Sequence, residues 1–60
     1  MNGIVKFYSK KGYGFISGND GNDYFFHISE LNSEIKQDDK VEFEPTENSR
    51  GKSAKNVNCI

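Results

Sequence analysis

The chain has 60 residues, enough for one domain and one thin hydrophobic core. Such a core leaves no space for an enclosed cofactor cavity of several hundred Å³, so most enzyme classes are disfavoured and binding at the surface is expected. One cysteine excludes an intramolecular disulfide, and the sequence predicts neither a membrane-spanning segment nor a signal peptide. We therefore expect a cytoplasmic protein with no membrane partner.

The formal net charge of −1 conceals an uneven distribution of charge along the chain. Residues 1–19 and residues 48–60 each carry three cations and no acid, whereas residues 20–47 hold all nine acids. A fold that joins the two ends would present one basic face, as a nucleic-acid ligand requires. An ordinary solvated surface explains the same charges and is favoured when charge alone is considered.

Five strand-like segments, separated by clusters of turn-forming residues, follow one another along the chain. They cover residues 3–8, 14–17, 23–28, 40–44 and 54–59. Residues 29–35 have the apolar spacing of one helical turn behind a capping serine, Ser29. Closing so small a sheet removes the exposed edges that invite aggregation. The predicted fold is all-β, a five-stranded antiparallel β-barrel forming one domain over residues 1–60.

Alternation of side chains along each strand predicts which residues form the core. The predicted inward set is Val5, Ile16, Tyr24, Phe26, Ile28, Val41, Phe43, Val57 and Cys59. The predicted outward set on the first three strands is Lys6, Tyr8, Tyr13, Phe15, Phe25 and His27. Phe7 stays ambiguous, because alternation buries it beside Val5 unless a bulge turns the ring outward.

So many exposed rings are costly in a small protein unless they bind a ligand. Rings interleaved with lysines suit unpaired nucleotides, because the rings stack on bases and the ammonium groups follow the phosphates. Duplex DNA hides its base faces, so single strands are favoured. The alternative is that the two faces are assigned in reverse and the rings form the core.

Two motifs in the first half of the chain sharpen this prediction. Residues 11–16, Lys-Gly-Tyr-Gly-Phe-Ile, fit the aromatic ribonucleoprotein motif, in which small glycines let a base approach the sheet between two rings. RNA-recognition-motif domains carry their second aromatic motif before this hexamer, whereas here residues 24–28, Tyr-Phe-Phe-His-Ile, follow it. With the segments 3–7, 48–51 and 54–57, this order closely resembles bacterial cold-shock proteins over nearly the whole chain.

The resemblance implies a barrel of the oligonucleotide-binding (OB) type that binds single-stranded RNA and DNA and acts as an RNA chaperone. Carried over by motif, the stacking positions fall on Phe7, Tyr8, Tyr13, Phe15, Phe25, His27 and Ile28. The basic contacts fall on Lys6, Lys11 and Arg50. We expect pyrimidine-rich strands as partners and a monomer, with a strand-swapped dimer as the alternative.

The chain departs from the family pattern at three places. Phe7 stands where the family usually has Trp and Ile28 where it usually has Phe, so stacking at both positions should be weaker. The first turn is one residue shorter than usual. The connection over residues 29–39 is several residues shorter and lacks the aromatic residue that this loop normally contributes. These differences leave the fold prediction unchanged but predict a shorter nucleotide footprint.

Other readings of the sequence are weaker. Residues 12–17 lack the final glycine of a dinucleotide-binding loop, and residues 20–23 lack the ligand spacing of a calcium loop. His27 and Cys59 are too few for a zinc site or a catalytic pair, so no metal, no cofactor and no enzymatic activity are expected. Two rival functions remain open, a protein-interaction module and a transcription regulator that uses the same face.

Overall fold

The computed structural model describes residues 1–49 and 51–60. Five strands account for most of this part of the chain: β1 is Asn2–Ser9, β2 is Tyr13–Gly18, β3 is Asp23–His27, β4 is Lys40–Asn48 and β5 is Gly51–Cys59. A 3₁₀ turn, Ile28–Glu30, directly follows β3. The five predicted strands are confirmed, although β4 runs beyond Glu44 and β5 begins before Ala54.

The strands close into a barrel in the order β1, β2, β3, β5, β4. Strand β1 pairs antiparallel with β2 along most of its length and with β4 near its beginning. The barrel closes between β3 and β5, which are parallel and pair at Phe25 and Ser53. The predicted five-stranded barrel is therefore confirmed. It differs from the predicted purely antiparallel sheet in the parallel pairing of β3 with β5.

The core fills the inside of the barrel with apolar side chains from all five strands and from the segment that precedes β4. Its buried members are Val5, Ile16, Tyr24, Phe26, Ile35, Val41, Phe43, Ala54 and Val57. The prediction that Ile28 and Cys59 are buried is wrong. Ile28 is 47% exposed because the strand ends at His27 and the chain turns into the 3₁₀ turn. Cys59 is exposed as the last residue of β5, where the core cluster does not cover it.

The helical turn predicted over residues 29–35 does not form; a shorter 3₁₀ turn, Ile28–Glu30, takes its place and has a different cap. His27, not Ser29, is the capping residue, because its ring accepts a hydrogen bond from the Ser29 backbone N–H. Leu31 then forms a parallel bridge with Val57, and Ile35 enters the core. Among the described residues no helix is long and apolar enough to cross a bilayer.

Candidate nucleic-acid interface

Four aromatic rings lie together on the outside of β1, β2 and β3, and we call them the aromatic face: Phe7, Tyr13, Phe15 and Phe25. The ring centroids of Tyr13 and Phe25 are 6.1 Å apart in a stacked arrangement. Phe15 contacts Phe25 edge-on at 5.8 Å, and Phe7 lies 6.4 Å from Tyr13. The rings therefore form one continuous apolar surface.

The register of β2 and β3 explains why these rings face outward. Phe15 lies opposite Phe25, and Tyr13 lies opposite His27. The intervening Ile16 is fully buried, whereas Phe15 and Phe25 each keep 39% of their surface exposed. Alternation along a strand thus sends one set of residues into the core and the other to solvent, as the sequence predicted.

Phe7 joins the face through a β-bulge in β1. Val5 pairs with Ile16 and Phe7 with Phe15, so one residue, Lys6, is left between the two pairs. The extra residue reverses the alternation, because two consecutive side chains now point outward. Phe7 is accordingly 45% exposed. The ambiguity that the sequence left at this position is resolved by the bulge.

The same bulge corrects the prediction that Tyr8 belongs to the outward set. Beyond the bulge Tyr8 points back toward the barrel, is only partly exposed and packs against the core cluster. Its ring meets Phe26 edge-on with centroids 5.6 Å apart. Tyr8 thus packs against the core of the barrel and is not a member of the aromatic face.

The glycines of the ribonucleoprotein-like hexamer serve packing, which corrects a second prediction. A Cβ on Gly14 would point inward and come within 2.6 Å of the buried Phe26 ring. Gly12 has a φ of +101°, and a Cβ there would lie 2.8 Å from a methyl group of Ile28. The carbon added at Gly14 would therefore enter the core, and the one added at Gly12 would collide with the half-exposed Ile28 side chain. The glycines are therefore required by the turn and by the core.

His27 extends the outer row of β3 beyond the rings. Its Nδ1 accepts a hydrogen bond from the Ser29 N–H at 3.1 Å and lies 3.0 Å from the Ser29 hydroxyl. An Nδ1 that accepts leaves the proton of the neutral ring on Nε2, which is then a donor. Ile28 follows at the end of the row, with its side chain half exposed. The structure thus places both predicted residues beside the aromatic face.

Two lysines border the aromatic face, Lys6 and Lys52, and each is paired with a carboxylate. Lys6 Nζ lies 3.0 Å from Asp23, and these two residues line a depression of about 190 Å³ with Phe7 and Phe15. The acidic block of the sequence therefore contributes Asp23 to this face, so the charges are not separated into one basic and one acidic side. Lys11, the other predicted lysine, is exposed in the turn between β1 and β2.

Lys52 is a basic residue at this face that the sequence-based site prediction missed. It lines an open groove of about 520 Å³ together with Phe15, Phe25 and Ser53, because β5 closes the barrel beside β3. Its ammonium lies 2.6 Å from Glu47. That hydrogen bond, with the attraction between the charges, lowers the pKa of Glu47 and raises the pKa of Lys52. Arg50 lies outside the described residues, although its neighbour Gly51 lines the groove.

The whole chain matches a known domain family. The "Cold-shock" DNA-binding domain profile matches residues 1–60. Cold shock protein 1 of Lactiplantibacillus plantarum is 43% identical over 61 residues, which cover 93% of this chain and 92% of that protein. A cold shock-like protein of Thermotoga maritima is 42% identical over 65 residues, covering 100% of this chain and 98% of the relative.

A solved structure supports the fold independently. Drosophila Unr CSD456 superposes with a TM-score of 0.75 at 23% identity, over 98% of this chain and 26% of that longer chain. Proteins of the cold-shock family bind single-stranded nucleic acid and are not enzymes. With the family profile matching from end to end and relatives above 40% identity, this chain belongs to the cold-shock domain family of nucleic-acid-binding proteins.

Proposed function

We propose that this chain captures unpaired bases of RNA and DNA by stacking them on the aromatic face. The observation that carries the proposal is the continuous row of rings on the outside of the sheet, Phe7, Tyr13, Phe25 and Phe15, with neighbouring centroids 5.8 to 6.4 Å apart. Each stacked base contributes about 1–3 kcal/mol in proteins of this kind. A surface of this type in a small domain would otherwise be an aggregation hazard.

The proposed contacts extend beyond the rings to polar and charged groups. The set includes Lys6, Lys11, His27, Ile28 and Lys52 around the aromatic face, and Arg50 on the basis of the sequence resemblance. The Nε2–H of His27 donates to a base edge, while the lysines follow the phosphates. Tyr8 makes no proposed contact with the bases on the aromatic face. It packs edge-on against the buried Phe26 ring and so supports the sheet that carries this face.

The proposed cellular role is that of an RNA chaperone that works by mass action. A protein that binds only the open form of a hairpin shifts the folding equilibrium by its differential affinity for the two forms. Opening of the hairpin by this mechanism therefore needs no ATP. The preferred partners are pyrimidine-rich single strands, bound by a monomer.

Titration of labelled oligo-U, oligo-T, a purine strand and a duplex at two salt concentrations tests the proposal. We expect binding of single strands that weakens with salt, preference for the pyrimidine strands, and weak binding of the duplex. Preference for a defined duplex would favour the transcription regulator. A protein that binds none of these ligands and instead captures a protein partner without salt dependence would favour the interaction module.

A hairpin with a fluorophore and a quencher at its ends tests the chaperone role. The wild-type chain should open the hairpin in proportion to its concentration, without ATP. The double variant Phe15→Ala/Phe25→Ala should not open it. Equal opening by the wild type and this variant would exclude base capture on the aromatic face as the mechanism.

A further inference from the structure

A second cleft begins where the aromatic face ends. The pairing of β2 with β3 runs from Phe15 and Phe25 to Tyr13 and His27, and continues as a hydrogen bond of 2.9 Å from the Ile28 N–H to the Gly12 carbonyl. Both residues of this last contact line the cleft. A strand that follows the outer row of β2 and β3 therefore meets the cleft directly after His27.

The cleft combines apolar side chains with a cationic rim. The side chains that line it include the apolar ones of Tyr8, Ile28 and Ile35 and the exposed ones of Lys10 and Lys36, which we call its rim. The volume is about 440 Å³, within the roughly 300–1,000 Å³ of small-ligand sites. No carboxylate is among the side chains that line it in the described part of the chain. This composition suits an anionic group joined to an apolar or aromatic one.

Neither lysine of this rim forms a side-chain ion pair within the described residues, and the one carboxylate bonded to this segment, that of Asp39, accepts from the Lys36 backbone N–H at 2.9 Å. Lys6 and Lys52, which border the aromatic face, are each held by a carboxylate at 3.0 and 2.6 Å. Lys10 and Lys36 form no ion pair with any residue in the ranges 1–49 and 51–60. A phosphate that binds between the two ammonium groups therefore breaks no ion pair of the described residues.

Both lysines stand on turns that are fixed by backbone hydrogen bonds. The turn that carries Lys10 is closed by the Gly12 N–H donating to the Ser9 carbonyl at 3.1 Å. The turn that carries Lys36 is closed by the Asp39 N–H donating to the Lys36 carbonyl, also at 3.1 Å. Asp39 is in turn bound to β1, since its carbonyl accepts from the Val5 N–H at 2.9 Å. The rim is thus supported by the barrel itself.

We propose that this cleft binds the terminal nucleotide of a strand held on the aromatic face, with a terminal phosphate between Lys10 and Lys36 and the base against Ile28. The inference rests on the proposed function, because the aromatic face delivers the strand to the cleft. The sequence predicted a shorter footprint, since the 29–39 connection has no aromatic residue. The cleft supplies a different contact at that end, in which two lysines hold a phosphate and the base packs on an aliphatic side chain instead of a ring.

The test uses a length series of oligo-T with hydroxyl groups at both ends, with a 5′-phosphate, or with a 3′-phosphate. We expect the phosphate at one end to tighten binding roughly two- to thirtyfold once the oligonucleotide is long enough to reach the cleft, the range that two exposed ion pairs give. Lys10→Gln/Lys36→Gln should abolish this gain and leave the affinity for short hydroxyl-ended strands unchanged. The matched control Lys40→Gln/Lys55→Gln removes the same charge from two other exposed lysines, which form no ion pair with the described residues, and should keep the gain.

Several results would overturn the inference. If the wild type binds oligo-T but gains nothing from either phosphate, the cleft is not a phosphate site and the aromatic face acts alone. If the control double variant loses the gain equally, the effect is due to net charge and not to the cleft. Failure of the proposed function is distinguishable, because Phe15→Ala/Phe25→Ala would then leave the affinity for hydroxyl-ended oligo-T unchanged. A wild type that binds no oligonucleotide would overturn both.

Discussion

The ammonium of Lys6 lies 3.0 Å from the carboxylate of Asp23 at the edge of the aromatic face. Lys6 is the residue left between the two paired positions of the β1 bulge, and Asp23 begins β3, so the bulge aims the lysine across β2. Both side chains remain exposed, so solvent screens the pair and its contribution to stability is small. The ion pair should instead weaken the attraction of Lys6 for a phosphate, because Asp23 already neutralises part of the charge of the lysine.

This pairing predicts opposite effects of two substitutions on the salt dependence of binding. A full phosphate contact to a single strand contributes about 0.7 to the slope of log K against log salt. Lys6→Gln should flatten the slope by less than this, and Asp23→Asn should steepen it by freeing the lysine. Affinity for oligo-T measured over a range of salt checks both variants, with Lys55→Gln as the control. Weaker binding of Asp23→Asn at an unchanged slope would mean that the carboxylate itself contacts the ligand.

Removing a ring from the aromatic face should affect binding more than folding. We expect Phe15→Ala and Phe25→Ala each to weaken oligo-T binding by about 1–3 kcal/mol. Phe15 loses its contact with Phe25, and Phe25 loses its contacts with both Phe15 and Tyr13, so a stability loss of about 0.5–1.5 kcal/mol for each lost contact is also expected.

Val41→Ala provides the comparison, because Val41 is fully buried. It should lower stability by roughly 2 kcal/mol and leave the affinity of the folded fraction unchanged. Denaturation curves and titrations below the melting temperature separate the two effects. The face assignment would be contradicted if Phe15→Ala unfolded the protein as severely as Val41→Ala does.

Much of this fold follows from the period-two pattern of the sequence, and the deviations occur where the strand backbone is irregular. Ile16, Tyr24 and Phe26 are buried as predicted because β2 and β3 pair without interruption. Tyr8 was misplaced because a bulge adds one residue, and strict alternation contains no signal for it. Ile28 was misplaced because the strand changes into a 3₁₀ turn one residue earlier than predicted.

The site was predictable where it depends on neighbouring strands and unpredictable where it depends on barrel closure. Phe15 and Phe25 come from a hairpin, so the sequence alone places them together. Lys52 reaches Phe25 through the parallel contact of β5 with β3, which joins segments distant in sequence. Lys10 and Lys36 are also distant in sequence. They line one cleft because the segment before β4 is hydrogen-bonded to β1.

Enlarging the ring at position 7 should strengthen binding and report on it. Phe7 is 45% exposed and lines the depression of about 190 Å³ that it shares with Phe15. Phe7→Trp offers a larger stacking surface, so we expect a gain of up to about 1 kcal/mol for oligo-T. The chain has no other Trp, so quenching of this fluorophore measures occupancy directly.

Ile4→Trp is the matched control, because Ile4 is equally exposed on the same strand and does not belong to the aromatic face. It should show neither the gain in affinity nor the quenching. Quenching of both variants to the same extent would indicate that bases do not select the aromatic face.

The acid side of the stability curve should depend on Asp20. The Tyr24 hydroxyl donates to Asp20 at 2.7 Å, and this bond, followed by those from Asn22, lowers the pKa of Asp20 below its ordinary value of 3.8. The unfolded chain therefore binds the proton more tightly than the folded chain. The stabilisation is complete above the unfolded pKa, near 3.8, and is lost as pH falls through the lower folded pKa.

Asp20→Asn should lower stability at neutral pH and make the curve shallower below the ordinary pKa of the carboxyl. Tyr24→Phe should weaken the same dependence, since it removes the largest cause of the shift. Urea denaturation at a series of pH values measures both, with Glu34→Gln as the control for loss of one exposed acid. An acid limb that is identical in the wild type and Asp20→Asn would show that this carboxylate has no part in it.

The last prediction concerns Gly14, whose hydrogen atoms occupy space that no other residue could use. A Cβ at this position would lie 2.6 Å from Cζ of Phe26 and would also meet the Phe7 carbonyl. Phe26 is fully buried, and the carbonyl belongs to the β1–β2 pairing, so neither neighbour can move freely. Overpacking of this kind costs about 1–3 kcal/mol, and occasionally more.

We therefore expect Gly14→Ala to lower the free energy of unfolding by at least that amount, and to leave the affinity of the remaining folded protein for oligo-T nearly unchanged. Ser17→Ala is the control on the same strand, because Ser17 is exposed and its truncation removes no core contact. Denaturant titrations give the stability of both variants, and binding is measured under conditions where each is folded. The opposite result, normal stability with weakened binding, would place Gly14 against the ligand, since only a glycine that admits a base to the sheet would lose affinity without losing stability.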